Sequence, residues 1–236
     1  MFTKSTADGI QGIVLDAVGT LIDPSPPVAE VYAAAARRQG VHLEVAVVKS
    51  RFQRHFRDDE LDEARGPLAT DEPGEYRRWR RIVTSVLGEV PDPRRAFDEL
   101  WDHFGRPEAW SCFPDVAPAL RAIREAGLAV RIASNFDARL RSVVAGLREL
   151  SEVVEPVIIS SEVGFRKPHP AFFRAVCEGL GLPPDRVLCV GDDPDNDVRG
   201  AVDAGLRGLL LDRHGRRPED LPFVTSLAEL PVPRRD

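Results

Sequence analysis

The chain has 236 residues, a hydrophobic content of 43% and a formal net charge of −6. This length and apolar content suffice for one large or two modest domains with a buried core. The acidic balance gives no support for a nucleic-acid partner. No apolar run approaches the roughly 18 residues that span a bilayer, and the first nine residues lack the apolar centre of a signal peptide. We therefore expect a cytoplasmic protein that binds neither membrane nor nucleic acid.

The first predicted strand covers residues 13–15, a short and β-branched-rich apolar run. Such a run is typical of a strand buried on both faces of a parallel sheet. Asp16 follows directly, and Gly19 and Thr20 then predict a change of direction. A carboxylate at the carboxyl end of such a strand lies where open α/β sheets bind ligands. Taken alone, Asp16 is equally compatible with capping a turn.

A helical region is predicted from residue 28 to about residue 106, after a proline-rich break. Apolar residues recur there at intervals of three and four, and we find no convincing buried strand. We expect an all-α cap at residues 24–106, inserted into a core made of residues 1–23 and 107–236. The arginines of this region are interpreted as solvated helix faces: Arg51, Arg54, Arg57, Arg77, Arg78, Arg80 and Arg81.

Strand and helix patterns alternate after about residue 110. The predicted strands lie near residues 128–133, 157–159, 187–190 and 209–211. The predicted helices cover about residues 115–126, 138–147, 170–180 and 197–204. Short links between alternating elements predict a three-layer α/β fold with a parallel sheet.

Polar residues follow three of the predicted strands, and a parallel sheet would bring Asp16, Ser134 and Asp192 to one edge. Four carboxylates fall within residues 192–197, and such dense negative charge calls for solvent or a cation. Oxygen ligands of this kind suit Mg²⁺. A calcium EF-hand loop is excluded, because Val198 and Ala204 would occupy its glycine and glutamate positions. Asp193 is also compatible with capping the following helix.

Lys167 precedes Pro168, which holds it in an extended conformation just before a predicted helix. A lysine is usually a solvated surface residue, and the local sequence favours that interpretation. If its ammonium instead pointed at a carboxylate–phosphate site, it would neutralise charge that develops in a transition state.

Four segments in this order resemble the motifs of the haloacid dehalogenase superfamily, whose members are mostly phosphatases with a Rossmann-like core. The segments are Asp16-x-x-Gly19-Thr20-Leu21, then Ser134-Asn135, then Gly164-x-x-Lys167-Pro168, then Gly191-Asp192-Asp193-x-x-Asn196-Asp197-x-x-Gly200-Ala201. The resemblance covers about residues 10–215, and the helical insertion is similar to the first-position cap of the superfamily. Residues 16–21 and 134–137 look most similar to the hydrolase-domain-containing protein 3 type.

The resemblance implies that Asp16 attacks phosphorus and forms an aspartyl-phosphate that water later cleaves. Mg²⁺ would be held by Asp16, Asp192 and the backbone carbonyl of Val18. Asp193 and Asp197 would support the metal or orient Lys167. The resemblance assigns phosphate binding to these groups: Ser134, Asn135, Thr20, Lys167 and the backbone N–H groups of Ala17 and Val18. The implied partner is a small phosphorylated or halogenated metabolite, and either a monomer or a homodimer is compatible with the sequence.

Val18 departs from the pattern, because that position is usually a second aspartate in the superfamily's phosphatases. This aspartate protonates the leaving group and later activates water, and valine does neither. Loss of general acid–base help costs about 10²–10⁴ in rate. Three functions stay open: a slow phosphatase or one that needs a good leaving group, a 2-haloacid dehalogenase, and a non-catalytic phosphate-binding protein. The dehalogenase needs neither a proton donor nor a metal, but dehalogenases lack the acidic pair Asp192-Asp193.

Overall fold

The structure is a computed structural model that describes residues 9–151, 157–215, 218 and 220–232. The predicted core also includes residues 1–8 and 233–236, which lie outside this described part. Among the described helices, none combines the length and the apolar character that a membrane crossing requires.

Eight strands are present in the described ranges. They are β1 (Gly12–Leu15), β2 (Ile22–Pro24), β3 (Trp110–Cys112), β4 (Ala129–Ser134), β5 (Ile158–Ile159), β6 (Val187–Gly191), β7 (Arg207–Leu211) and β8 (Phe223–Val224). The helices are α1 (Val28–Arg38), α2 (Val45–Ala64), α3 (Glu72–Leu87), α4 (Pro93–Phe104), α5 (Val116–Glu125), α6 (Arg139–Gly146), α7 (Arg148–Ser151), α8 (Ser160–Val163), α9 (Pro170–Leu180) and α10 (Gly200–Asp203). A π-helical turn, Pro194–Arg199, precedes α10, so the helix predicted at residues 197–204 begins earlier and in a different geometry.

The main sheet has six strands in the order β5-β4-β1-β6-β7-β8, and all neighbouring pairs are parallel. The α/β fold class predicted from the sequence is therefore confirmed. Leu15 of β1 is level with Ile132 of β4 and with Val190 of β6. Because these strands end together, Asp16, Ser134 and Asp192 emerge at the same edge of the sheet.

Side chains of β1 alternate between the two faces of the sheet, as strand geometry requires. Ile13 and Leu15 pack in one apolar cluster with Leu120 of α5. Val14 packs in a second cluster, on the other face, with Phe172 of α9. Helices thus cover both faces, which explains why the central strands are apolar throughout.

Helices α1 to α4 lie between β2 and β3 in the chain and share a third apolar cluster, which includes Tyr32, Ile82 and Phe97. β2 and β3 pair antiparallel, so the chain leaves and re-enters the core side by side. The sequence did not predict this pair, because two three-residue strands are too short to show a periodicity. We interpret the four helices as the cap; its bounds at residues 24–106 stay a prediction.

Two contacts fasten the cap to the segment that precedes α9. The amide of Thr70 donates to the carbonyl of Gly164 at 3.0 Å, and the amide of Arg166 donates to the carbonyl of Leu68 at 2.9 Å. The Arg166 guanidinium also donates to Glu75 Oε1 at 2.7 Å, and both side chains are buried. The cap is therefore held against the core by main-chain bonds and by a buried ion pair.

Arg139 of α6 forms another connection between the core and the cap. Its guanidinium pairs with the fully buried Asp137 at 2.7 Å. The same group donates to the backbone carbonyl of Trp101 on α4 at 2.5 Å and lies 3.3 Å from the centre of that indole ring. A cation over an indole face is attracted to the ring, so Arg139 binds the cap through both charge and ring contact.

Candidate active site

Two of the predicted site residues, Ser134 and Lys167, contact the same carboxylate oxygen of a third, Asp16, at the edge of the sheet. Ser134 Oγ donates to Asp16 Oδ1 at 2.9 Å, and Lys167 Nζ donates to the same oxygen at 2.6 Å. Lys167 Nζ also donates to Asp197 Oδ1 at 2.5 Å and to the carbonyl of Ala133 at 3.1 Å. Within the described residues no donor bonds to Asp16 Oδ2, so one carboxylate oxygen is fixed and the other is free.

The loop that carries Lys167 is held by Asn135. The backbone N–H of Lys167 donates to Asn135 Oδ1 at 2.7 Å, and Asn135 Nδ2 donates to the Lys167 carbonyl at 3.1 Å. Lys167 is only 4% exposed, so the surface location that its local sequence favours is wrong. Both polar atoms of the Asn135 side chain are occupied in positioning this lysine.

Lys167 and Asp197 form a buried ion pair whose protonation is set by several charges. Burial disfavours a charged Lys167, but attraction to the carboxylates of Asp16 and Asp197 outweighs this and raises its pKa. Burial raises the pKa of Asp197 to about 7, against the opposing effect of Lys167 and with a further increase from Asp16. The lysine is therefore a fixed positive charge beside Asp16.

Asp16, Asp192 and Asp197 offer carboxylate oxygens that all lie within 4.8 Å of one another. Asp192 is an exposed residue, but partial desolvation of its carboxyl raises its pKa to about 8, with further increases from Asp16 and Asp197. Among the described residues no lysine or arginine forms an ion pair with Asp192, and no donor bonds to the Val18 carbonyl. A cluster of oxygen ligands with unbalanced negative charge fits a hard divalent cation such as Mg²⁺.

Two glycines allow these carboxylates to approach the backbone. Gly19 has φ +81°, and a Cβ there would lie 2.4 Å from Asp192 Oδ2. A Cβ on Gly191 would lie 2.0 Å from Asp197 Oδ2. Any larger residue at either position would displace a carboxylate of the cluster.

Asp193 and Asp197 have different environments, although the family resemblance implies the same supporting role for both. The Asp193 carboxylate accepts bonds from the backbone N–H groups of Asp195 at 2.9 Å and Asn196 at 2.8 Å. It therefore caps the π-helical turn, as the alternative interpretation of the sequence expected. Asp197 instead accepts from the Asp193 amide at 3.1 Å and contacts Lys167.

The remaining predicted phosphate ligands divide into backbone and side-chain groups. The N–H groups of Ala17 and Val18 form no hydrogen bond within the described part of the chain, so both are available to a ligand. Thr20 is fully buried, and its hydroxyl makes only a long contact of 3.5 Å with Asp192 Oδ1. Its side chain is not among the described residues that line the cavity beside Asp16.

The sequence profile of the haloacid dehalogenase-like hydrolases matches residues 10–205. The chain belongs to this family. Haloacid dehalogenase-like hydrolase domain-containing protein 3 of Mus musculus is 30% identical to this family member over 201 residues, which cover 83% of the chain and 79% of the relative. Phosphoserine phosphatase of Thermus thermophilus is 31% identical over 226 residues, 88% of the chain and 90% of the relative. Both the predicted superfamily and the predicted subgroup are thus confirmed as resemblances over most of the chain.

The solved structures that resemble this haloacid dehalogenase-like hydrolase include dehalogenases. L-2-haloacid dehalogenase from Xanthobacter autotrophicus superposes with a TM-score of 0.72 and 24% identity, over 94% of this chain and 97% of the other. A likeness at this identity supports the shared fold and carries no information about which bond is cleaved.

A cavity of about 460 Å³ lies between the cap and Asp16 in this hydrolase. Of the chain's 3 Trp, 2 Tyr and 11 Phe residues, nine line this cavity. Seven of the nine lie on the cap helices, and we call these seven the aromatic chamber: Tyr32, Phe52, Phe56, Trp79, Phe97, Trp101 and Phe104. Sequence reasoning used the spacing of such residues only to predict helices, because ring spacing along a helix is the same for a packed core and a cavity wall.

Arg78 also lines the cavity, and its predicted place on a solvated helix face is wrong. It is 4% exposed, and its Nε donates to Asp59 Oδ2 at 2.5 Å. The guanidinium lies 5.4 Å from the centre of the Phe56 ring, while Nη2 has no hydrogen-bond partner in the described residues. Its position four residues before the buried Ile82 places it on the buried face of α3, a signal that the sequence contained.

Proposed function

We propose that this hydrolase cleaves small phosphomonoesters of the cytoplasm with Mg²⁺, through an aspartyl-phosphate formed on Asp16. The observation that carries the proposal is the Asp16 carboxylate, whose Oδ1 is held by Ser134 and Lys167 while Oδ2 accepts no hydrogen bond from the described residues. A carboxylate with one oxygen fixed presents the other to a bound phosphorus atom in a constant orientation.

In the first step, Asp16 Oδ2 forms a bond to phosphorus, and the ester P–O bond breaks with its electron pair on the leaving oxygen. Water then attacks the aspartyl-phosphate, the bond to Asp16 breaks, and phosphate and the free carboxylate result. The N–H groups of Ala17 and Val18 would bind the phosphoryl oxygens. The fixed charge of Lys167 would stabilise the negative charge that develops on them.

The carboxylates of Asp16 and Asp192 and the carbonyl of Val18 would hold Mg²⁺, with Asp197 and Asp193 in support. Mg²⁺ bound there supplies positive charge to the phosphoryl oxygens. Val18 supplies neither a proton to the leaving oxygen nor a base for water. We therefore expect transfer of the phosphoryl group to Asp16 to be about 10²–10⁴ times slower than with an acid at this position, unless the leaving group departs readily as an anion.

The test uses acetyl phosphate, a small activated phosphate that needs little help from an acid. The wild-type chain should hydrolyse it with Mg²⁺, and activity should disappear with a chelator. Asp16→Asn should reduce turnover by at least about 10⁴-fold, since losing a nucleophile removes the covalent route. Asp195→Asn is the matched control, because Asp195 is an exposed carboxylate of the same acidic segment. Equal rates for wild type and Asp16→Asn would contradict the proposal.

Dehalogenation of a 2-haloacid is the second candidate, favoured by Val18 together with the aromatic chamber. Halide leaves as an anion and needs no proton donor, so Val18 would not limit this reaction. The acidic cluster around Asp192 supports the phosphatase instead. Halide release from 2-chloropropionate that persists in a chelator would identify the dehalogenase. Binding of beryllofluoride with Mg²⁺, without turnover of either substrate, would indicate a non-catalytic protein.

A further inference from the structure

The cavity wall that faces the acidic cluster is rich in aromatic rings. Small-molecule pockets are commonly lined by hydrophobic and aromatic side chains, with a few polar groups that fix the orientation of the ligand. Here all three tryptophans of the chain line one cavity, together with both rings of the Phe52–Phe56 stack. The concentration of rings indicates that the group bound opposite the phosphate is itself apolar.

Rings of the chamber pair with one another in stacked and edge-to-face geometries. The ring centres of Phe52 and Phe56 are 5.7 Å apart, and the angle between the ring planes is 12°. Tyr32 meets Phe52 edge to face, with 5.8 Å between the ring centres. Aromatic rings pair favourably in such stacked and edge-to-face geometries, by about 0.5–1.5 kcal/mol beyond the burial of their area. A ligand ring that enters the chamber would find both kinds of contact on the cap helices.

Val18 gives a second and independent reason for an aromatic leaving group. It lines the same cavity and cannot protonate a leaving oxygen. An aliphatic alkoxide is about as basic as hydroxide, since water has a pKa of about 15.7. A phenol has a pKa near 10, as in tyrosine. A phenolate therefore departs without a proton donor far more readily than an alkoxide.

We infer that the preferred substrate is an aryl phosphate, whose ring occupies the aromatic chamber and leaves as a phenolate. This inference rests on the proposed function and narrows its substrate class. Asp16 takes the phosphoryl group, the bond between phosphorus and the aryl oxygen breaks, and the phenolate takes a proton from solvent. The aromatic ring of the substrate then accounts both for its binding in the chamber and for the stability of its leaving group.

Asp23 and Glu60 also line the cavity, and each has its pKa raised by burial. Either would replace the missing acid if it reached the leaving oxygen. In that case aliphatic and aryl phosphates of equal size would react at similar rates, so comparing such substrates tests the inference directly.

The experiment compares phenyl phosphate with cyclohexyl phosphate, which has a similar size, in the full chain with Mg²⁺. The quantity measured is kcat/KM, which reports the steps up to transfer of the phosphoryl group to Asp16. We expect a preference for phenyl phosphate of at least about 100-fold. Val18→Asp should raise kcat/KM for cyclohexyl phosphate by about 10²–10⁴ and so narrow the preference. A preference below about 30-fold, or one that Val18→Asp leaves unchanged, would overturn the inference.

A chamber variant separates ring binding from leaving-group chemistry. Phe56→Leu should raise KM for phenyl phosphate about three- to tenfold more than it raises KM for acetyl phosphate. Phe113→Leu is the matched control, since Phe113 is a half-buried ring outside the cavity-lining set. Equal KM values in the two variants would overturn the role of the chamber. If acetyl phosphate is not hydrolysed at all, the proposed function fails; if it is hydrolysed without an aryl preference, only this inference fails.

Discussion

The core side of the cavity carries the acidic cluster, and the cap side carries most of the aromatic rings. On the core side, Asp16, Lys167 and Asp197 form a charged network in which each group has a fixed partner. On the cap side, the aromatic chamber presents rings whose contacts are mainly with one another. The difference indicates a division of labour, in which the core side determines the reaction and the cap side determines which leaving group is bound. Changes to the charged network of Asp16, Lys167 and Asp197 should alter every substrate equally, and changes on the cap side should alter selectivity or cap stability.

Lys167→Met should give the largest effect and should act on the core side alone. Loss of the ammonium leaves developing phosphoryl charge without its fixed partner, so turnover of acetyl and phenyl phosphate should fall by about 10²–10³ alike. The same change leaves Asp16 and Asp197 buried without a cation, at a cost of about 3–5 kcal/mol in the free energy of unfolding. Steady-state kinetics and urea unfolding measure the two effects. Lys49→Met, at an exposed cap lysine, is the control. A fall in turnover for only one of the two substrates would contradict the proposed division between the core side and the cap side.

Arg78→Met should destabilise the cap without changing the chemistry at Asp16. Among the described residues, the change leaves Asp59, whose side chain is 11% exposed, with the exposed Arg81 as its one remaining ion-pair partner. We expect the free energy of unfolding to fall by about 3 kcal/mol, while acetyl phosphate turnover at low temperature stays within about twofold. Arg80→Met, at an exposed position on the same helix, should change neither quantity. If Arg78→Met abolishes acetyl phosphate turnover in folded protein, Arg78 belongs functionally to the core side.

The pH dependence of stability should give the smallest effect and should arise on the core side, where Asp192 is exposed and solvent screens its charge. Asp192 has an ordinary pKa of 3.8 when unfolded and about 8 in the folded, metal-free chain. The folded state thus favours the protonated acid, so this contribution to stability is present below pH 4 and is lost as the pH rises toward 8. With a chelator present, urea unfolding should show that the free energy of unfolding falls as the pH rises, both in wild type and in Asp195→Asn. The fall should be smaller in Asp192→Asn. An equal fall in Asp192→Asn would assign the pH dependence to other groups.

The core side was predictable from the sequence because its geometry follows from strand order. Asp16, Ser134 and Asp192 each end a short apolar run, and parallel strands bring such ends together. Lys167 required the resemblance to a family, since nothing in its local sequence distinguishes a buried lysine from a surface one. The different environments of Asp193 and Asp197 depend on a π-helical turn, which no periodicity in the segment announces.

The cap side was much less predictable. Its helices follow from the spacing of apolar residues, but that spacing does not separate rings that fill a core from rings that line a cavity. Phe97 belongs to both the cap core and the chamber. The burial of Arg78 was readable in principle from its spacing to Ile82, yet the general preference of arginine for solvent pointed the other way. Tertiary packing determines both which rings line the cavity and whether Arg78 is buried.

The attachment of the cap has a consequence for how binding and catalysis depend on each other. Gly164 and Arg166, which hold the cap through Thr70, Leu68 and Glu75, lie in the same short segment as Lys167. Lifting the cap would break these bonds and would remove part of the support of the backbone that aims the lysine at Asp16, while its bonds to Asn135 remain. Cap closure and lysine placement are therefore thermodynamically linked, and linkage is reciprocal. A ligand that stabilises the closed cap also stabilises the position of Lys167 beside Asp16. An anion bound beside Lys167 stabilises the closed cap by the same free energy.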